Sequence, residues 1–298
     1  MIVGDWGTTR LRMFRSARAD ADKLVGPGIG QLRASPSQTL AAMLEPWTEP
    51  ALESGVLLCG MAGSRNGLID LGYVECPVGF DDWSAQVGIV EGFAYPVRVA
   101  TGLKGANFAY LPDVMRGEET QVFGAMVIEP RLACGEHVMV LPGTHSKWVV
   151  TAGGTIRSFH TFPTGELFAL LRDHSTLVRA GADPGDVDAG FEAGVTQGLR
   201  HSLAGLFAAR AAQLVDGRTH GWGLGFLSGL LIGGELGEAR ALIGEAATTL
   251  TVIGDPSLSA LYLQAGKQLG LTMTLYDGDA CVIAGLGRLA KICEEQAK

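Results

Sequence analysis

Apolar positions follow two patterns along this chain. Short apolar runs that enter glycine turns predict strands, and stretches with apolar residues three and four apart predict helices. Ile2-Val3 leads through Gly4-Asp5-Trp6-Gly7-Thr8-Thr9-Arg10 into a second apolar run over 11–14. Val138-Met139-Val140-Leu141 leads through Pro142-Gly143-Thr144-His145-Ser146-Lys147 into another over 148–150. Each reads as a β-hairpin around a Gly-Thr turn. A capping box of Ser35 and Gln38, with Pro36 at the first helical position, predicts a helix over 36–47. The apolar run 55–59 predicts a buried strand, ended by the loop Gly60-Met61-Ala62-Gly63-Ser64-Arg65. A helix follows residues 117–121 and stops at Pro130. Gly153-Gly154 turns the chain into a strand over 155–162. A helix beginning near Thr164 is expected to turn Leu167, Leu170 and Leu171 inward. Another is expected over 188–210, with Phe191, Val195, Leu199 and Leu206 on one side. Val252-Ile253 closes a strand at Gly254-Asp255-Pro256, where Asp255 caps a helix that Pro256 opens. A last helix is expected over 280–296.

Strands and helices alternate, so the fold class is α/β. A chain of 298 residues suits two domains. The repeated hairpin places their boundary near Pro130, giving domains 1–130 and 131–298. The 43 glycines are dispersed, which marks turns and close packing and not a linker.

The composition, 47% hydrophobic and 18% charged, is that of a folded globular protein. A net charge of −8 argues against nucleic acid and anionic membrane surfaces as partners. The longest apolar stretch, near 226–232, is far short of the ~20 residues of a membrane helix. The chain starts on a predicted strand and not on a signal peptide. The five cysteines form neither a Cys-x-x-Cys pair nor an even set, so reduced thiols in the cytoplasm are expected. Monomer and homodimer both remain open.

The hairpins carry the candidate chemistry. Glycine lets a ligand approach the backbone, and successive N–H groups form a nest for phosphate. Two such hairpins would hold a polyphosphate between two domains. Asp5, at the mouth of the first turn, suits Mg²⁺ held through water, or a simple backbone cap. The second hairpin has Leu141 and Pro142 where Asp5 would stand, so metal organisation falls to the first.

Six blocks carry a resemblance: Asp5-Trp6-Gly7-Thr8-Thr9, Gly60-Met61-Ala62-Gly63-Ser64-Arg65, Met115-Arg116-Gly117-Glu118-Glu119-Thr120-Gln121, Pro142-Gly143-Thr144-His145-Ser146-Lys147-Trp148, Thr164-Gly165-Glu166-Leu167-Phe168 and Ile253-Gly254-Asp255-Pro256-Ser257-Leu258. In this order they resemble the 2-dehydro-3-deoxygalactonokinase family, over nearly the whole chain. The resemblance implies the two-domain actin-like ATPase (ribonuclease H-like) fold of actin, hexokinase and the Hsp70 ATPase. It also implies ATP-dependent phosphorylation of the C6 hydroxyl of 2-dehydro-3-deoxy-D-galactonate. A phosphohydrolase like the exopolyphosphatases, a non-catalytic nucleotide switch and a kinase for another keto-deoxy sugar acid are the alternatives. The chain departs from the family after Gly67, where Leu68-Ile69-Asp70-Leu71-Gly72-Tyr73 replaces a tryptophan followed by Glu-Ala-Pro-Tyr.

The resemblance assigns roles. Gly7, Thr8 and Thr9 would cradle the β/γ-phosphates of ATP, with Asp5 organising Mg²⁺. Arg10 would reach a phosphate or stay solvated. Gly143, Thr144, His145 and Ser146 would take the other side of the polyphosphate, with Lys147 pairing with phosphate or pointing outward. Gly254, Asp255 and Pro256 resemble an adenosine-binding turn. Three carboxylates compete as the base: Glu119 is favoured, because the second of a Glu-Glu pair is catalytic in exopolyphosphatase relatives, while Glu118 and Asp113 remain. Acids opening a helix also answer its dipole. A guanidinium fork suits the substrate carboxylate, so Arg65 and Arg116 are candidates. Gly63 belongs to the same loop as Arg65, and Ser64, Thr164 and Glu166 are candidate partners of sugar hydroxyls.

Overall fold

The structure is a computed structural model that describes residues 1–15, 22–47, 54–178, 181, 183, 185–244 and 248–296. The chain begins β1 (Ile2–Trp6), β2 (Arg10–Phe14), β3 (Lys23–Pro27), α1 (Pro36–Leu44), β4 (Val56–Gly60), β5 (Tyr73–Glu75), β6 (Val78–Gly79), α2 (Phe80–Ser84), β7 (Gly88–Val90) and β8 (Val97–Val99). It continues β9 (Gly102–Ala106), β10 (Pro112–Met115), α3 (Glu118–Ile128), β11 (Glu136–Leu141), β12 (Ser146–Ala152), β13 (Thr155–Phe162), α4 (Thr164–His174) and α5 (Val187–Val215). It ends α6 (His220–Ile243), β14 (Thr249–Gly254), α7 (Pro256–Gln268), β15 (Thr272–Asp277) and α8 (Gly278–Gln296). The fold is α/β with mixed sheets.

The chain forms two units. The first comprises Met1–His137, Val149–Phe159 and Tyr276–Lys298, and the second Val138–Trp148 and His160–Leu275. These units differ from a single cut at Pro130, because the last helix belongs with the first unit. Helix α8 lies against α3 so closely that a Cβ on Gly124 would stand 1.8 Å from Cys281 O.

In the first unit a six-stranded sheet runs β3-β2-β1-β4-β8-β7. Strand β1 pairs antiparallel with β2 and parallel with β4, so the first hairpin and the end of β4 lie side by side. Every residue of β1 and β4 is buried, as expected of central strands covered on both faces. Leu40 and Leu44 of α1 pack on one face with Ile2, Leu11, Met13 and Leu58. The capping box of Ser35 and Gln38 starts α1 as expected, and the helix ends at Leu44. A smaller sheet runs β10-β9-β5 and leads into α3.

In the second unit β14 pairs parallel with the end of β11, Met139 opposite Thr251 and Val140 opposite Val252. Asp255 caps α7 through Ser257 N and Leu258 N, as expected. Helix α4 corrects the expected inward face. Leu171 packs on the core as expected, but Leu167 and Leu170 are exposed and Phe168 packs inward with Leu171. Helices α5 and α6 form the largest feature of this unit, and their glycines explain it. Gly190, Gly194 and Gly198 of α5, and Gly225, Gly229 and Gly233 of α6, recur every four residues, and each added Cβ would lie 2.1–2.6 Å from a backbone oxygen of the opposite helix. Backbone therefore packs on backbone. Gly194→Ala tests this. Alanine gains ~1 kcal/mol of helix propensity. Its Cβ, however, would stand 2.2 Å from Phe226 O, against an atom that cannot rotate away. A net loss of ~1–3 kcal/mol is expected, from overpacking. The urea midpoint should fall with the slope unchanged, and an unchanged midpoint refutes the tight contact.

Candidate active site

The first hairpin turn is held by Gly7 N donating to Arg10 O at 2.8 Å, and Gly30 N donates to Thr8 O at 2.9 Å. Thr8, Thr9 and Arg10 are exposed on this turn, while Asp5 beneath it is buried. Two further backbone turns converge on Asp5. Gly60 ends β4 at φ +77, and Gly117 precedes α3 at φ +109, both in the region that favours glycine. A Cβ on Gly60 would stand 2.8 Å from Asp5 Oδ1, and one on Gly117 would stand 3.1 Å from Gly60 Cα. The ends of β1 and β4 and the start of α3 therefore meet at one carboxylate.

Arg12, on β2, donates to Asp5 Oδ2 and to Asp279 Oδ1, and Lys23 donates to Asp279 Oδ2. Burial lowers the Arg12 pKa, but Asp5 and Asp279 outweigh it and hold the guanidinium above its ordinary value. Cys59 donates to Asp5 Oδ1 at 3.7 Å. Its thiol is pushed well up, by burial first and then by Asp5 and Glu119, so it stays protonated. Among the described residues no three His, Cys, Asp or Glu side chains gather as a metal cage. One buried carboxylate still fits Mg²⁺, which keeps several waters and takes phosphate oxygens as its other ligands.

Glu119 is fully buried in the first turn of α3. It accepts from Gly117 N at 2.9 Å on Oε1 and 2.8 Å on Oε2, and from Thr120 Oγ1 at 3.2 Å. Its pKa is raised to about 8, chiefly by burial and then by Glu118, against the opposing hydrogen bonds. Glu118 is half-buried and accepts from Arg116 N at 2.9 Å. Asp113 lies on β10 opposite Gly105, half-buried, and accepts from Val114 N at 2.7 Å.

Arg116 and Arg65 separate cleanly. Arg65 is exposed. Arg116 Nη2 donates to Leu71 O at 2.8 Å, and its guanidinium lies over the Tyr73 ring at 4.2 Å. Its Nε and Nη1 are buried and have no hydrogen-bond partner. Nη1 would be 2.9 Å from a Cβ on Gly63, so the fork faces the Gly60–Arg65 loop. The divergent segment 68–73 thus supplies the groups that hold Arg116. Ser64 Oγ donates to Met61 O at 2.8 Å and closes that loop on itself.

In the second unit the turn after β11 rests on α4. A Cβ on Gly165 would stand 2.3 Å from Gly143 O, and Glu166 N donates to Thr144 O at 2.9 Å. His145 Nε2 and Glu166 Oε2 pair at 2.8 Å, both exposed. Ser146 and Thr164 are buried and donate to Glu235, so their hydroxyls are engaged inside the protein and not offered to a ligand. Lys147 is buried, which overturns an outward position. Gly254 lies against Pro142, and Asp255 and Pro256 open α7. Sequence reasoning missed Glu235, Arg12, Asp279 and Gly165. Glu235 carried a signal: it stands alone among apolar and glycine residues in Leu230-Leu231-Ile232-Gly233-Gly234-Glu235-Leu236.

A sequence model for 2-keto-3-deoxy-galactonokinase matches residues 5–289. A 2-dehydro-3-deoxygalactonokinase of Escherichia coli (strain K12) is 32% identical over 295 residues, spanning 97% of each chain. A Rhizobium meliloti (strain 1021) protein with the same assignment is 33% identical, spanning 96% of this chain and 95% of its own. A crystal structure of a Sinorhizobium meliloti protein assigned to the same activity superimposes with a TM-score of 0.86 at 31% identity, covering 98% of both chains. These matches place the chain among the carbohydrate kinases. Within that class, the chain belongs to the 2-keto-3-deoxy-galactonokinase family. The match favours the kinase reading over the phosphohydrolase one.

Proposed function

We propose that this protein transfers the γ-phosphoryl group of ATP to the C6 hydroxyl of 2-dehydro-3-deoxy-D-galactonate, in an actin-like ATPase fold. The observation that carries the acid substrate is Arg116, whose buried Nε and Nη1 lack a partner. A carboxylate oxygen accepts a strong, charge-assisted hydrogen bond from such a buried guanidinium N–H. Gly63 leaves room beside that fork, since any side chain there would strike Nη1.

Phosphoryl transfer is mainly positioning and charge stabilisation. In this reading Gly7, Thr8 and Thr9 present N–H and hydroxyl donors to the β/γ-phosphates, and the exposed Arg10 adds charge. Gly143, Thr144 and His145 provide a second phosphate contact, and Gly254 with Asp255 and Pro256 receives adenosine. Asp5 would hold Mg²⁺, which neutralises charge on the phosphates when bound. Glu119 takes the proton from the attacking hydroxyl, with Glu118 and Asp113 as the alternatives. Its raised pKa suits that task, because a base works best when its pKa lies near the working pH.

ADP release measured across a panel of keto-deoxy sugar acids tests the function. Turnover should require a sugar acid and be fastest with the galactonate-derived one. Rapid ATP hydrolysis without any sugar refutes it. Arg116→Ala should raise KM for the sugar acid roughly 30-fold or more, because losing one partner of a buried charge pair costs ~2–5 kcal/mol. KM for ATP should stay near normal. Arg65→Ala should have the smaller effect, since Arg65 is exposed. A normal sugar-acid KM in Arg116→Ala moves the carboxylate elsewhere.

A further inference from the structure

Glu235 lies in the middle of α6, 3% exposed, and four neutral donors converge on it. Ser146 Oγ and Trp148 Nε1 donate to Oε1 at 2.7 and 2.8 Å. Thr164 Oγ1 and Tyr262 OH donate to Oε2, the latter at 2.8 Å. Burial holds the carboxyl pKa above its ordinary value against the four hydrogen bonds that lower it, and each oxygen accepts from two donors. A buried carboxylate is costly, and a well-packed apolar side chain at the same place is commonly as stable or more so. Stability alone therefore does not account for it.

The origin of the donors gives a better account. Ser146 and Trp148 are the first and third residues of β12, immediately after the turn 142–145. Thr164 is the first residue of α4, and the next residue, Gly165, lies against Gly143. Tyr262 lies on α7, the helix that Asp255 caps beside Gly254 and Pro142. The strand leaving the turn, the helix supporting it and the helix behind its neighbour are thus all tied to one carboxylate.

We propose that Glu235 is a positioning residue for nucleotide binding: it sets the conformation in which the turn at Gly143 and Thr144 presents its backbone to phosphate. This rests on the reading of that turn as a phosphate contact. The hub touches no ligand and acts through Ser146 and Thr164. It also explains why two hydroxyls in the turn-flanking segments point inward.

Glu235→Gln preserves shape. Trp148 only donates, so the amide oxygen must face Ser146 and Trp148, and the NH₂ group must face Thr164 and Tyr262, whose hydroxyls turn to accept. Glu235→Ala removes every bond and leaves four donors stranded. Affinity for Mg²⁺ and a non-hydrolysable ATP analogue, measured by calorimetry, should fall about tenfold or more in Glu235→Ala. In Glu235→Gln it should fall about threefold, because the geometry survives and the charge does not. KM for the sugar acid should stay within about twofold in both, which a general loss of folding would not spare. Amide hydrogen exchange over 143–146 should quicken in Glu235→Gln while that of β1 and β4 stays unchanged.

Gly143→Ala separates the inference from its premise. Its Cβ would meet only His145 O, at 3.9 Å, so the substitution is tolerated by the protein and obstructs only a ligand. Weakened analogue binding in Gly143→Ala, with unchanged affinity in Glu235→Gln and in any folded Glu235→Ala, overturns the positioning role alone. Unchanged binding in Gly143→Ala overturns the phosphate reading of the turn and the inference with it. Should Glu235→Ala not fold, Glu235→Gln decides by itself: wild-type affinity together with wild-type exchange over 143–146 refutes the role.

Discussion

Glu119→Gln is expected to lower kcat about 10²- to 10⁴-fold, the usual share of a positioned general base. The variant should fold, because a glutamine oxygen still accepts from Gly117 N. The same carboxyl predicts the pH profile. Its pKa is raised to about 8, so most of it is protonated at neutral pH and only the ionised fraction can take a proton. Turnover of the natural enzyme should therefore climb as pH rises through about 8. Stability should move the other way. An acid whose folded pKa lies above its ordinary 4.5 prefers the protonated, folded state. Its ionisation costs nothing below pH 4.5, costs progressively more as pH rises, and reaches its full cost above pH 8. Glu119→Gln, which cannot ionise, should gain stability relative to the natural protein over that window. Denaturant midpoints from pH 5 to pH 9 measure this. Near-normal turnover of folded Glu119→Gln passes the base role to Glu118 or Asp113. A midpoint difference that does not change with pH contradicts the raised pKa.

Asp5→Asn is expected to lower kcat by about 10²-fold or more, because an interaction aimed at metal and developing charge is typically worth several kcal/mol. The stability change should be small, about 1 kcal/mol, since Arg12 keeps Asp279 as a partner and the Asn oxygen still accepts. Arg12→Ala provides the control. It removes the same ion pair but leaves the carboxylate free for Mg²⁺. If the two variants lose activity equally, the ion pair and not the metal accounts for the effect. Manganese titration followed by electron paramagnetic resonance adds a readout independent of turnover: binding with ATP should weaken in Asp5→Asn and persist in Arg12→Ala.

Much of the fold was legible because its signals are local. Ser35 and Gln38 cap a helix through side chains three residues apart, and Asp255 with Pro256 does the same at α7. The hairpin turns are short apolar runs broken by glycine, and both formed where expected. Helix α6 escaped because its glycines weaken helix propensity and its residues are buried nearly all round, which erases periodicity. Leu167 and Leu170 of α4 were misplaced because leucines show that a helix packs, not which neighbour it meets. Packing on α6 selected Phe168 and Leu171.

By itself the sequence determined the α/β class, the two glycine hairpins, the acidic opening of α3 and the family. These follow from patterns within a dozen residues and from blocks kept in order. Only the tertiary structure decided which candidate side chains face inward. Ser146 and Thr164 lie 18 positions apart in sequence and both turn to Glu235, which no local rule connects to either. Arg116 differs from Arg65 only in what surrounds it: Leu71 and Tyr73 bury one fork, and the other is left in solvent. The raised pKa of Glu119 likewise owes most to burial, and the neighbouring Glu118 adds only the smaller share. Burial depends on every element packed around a residue, so the chemistry of these groups is set by contacts distant in sequence.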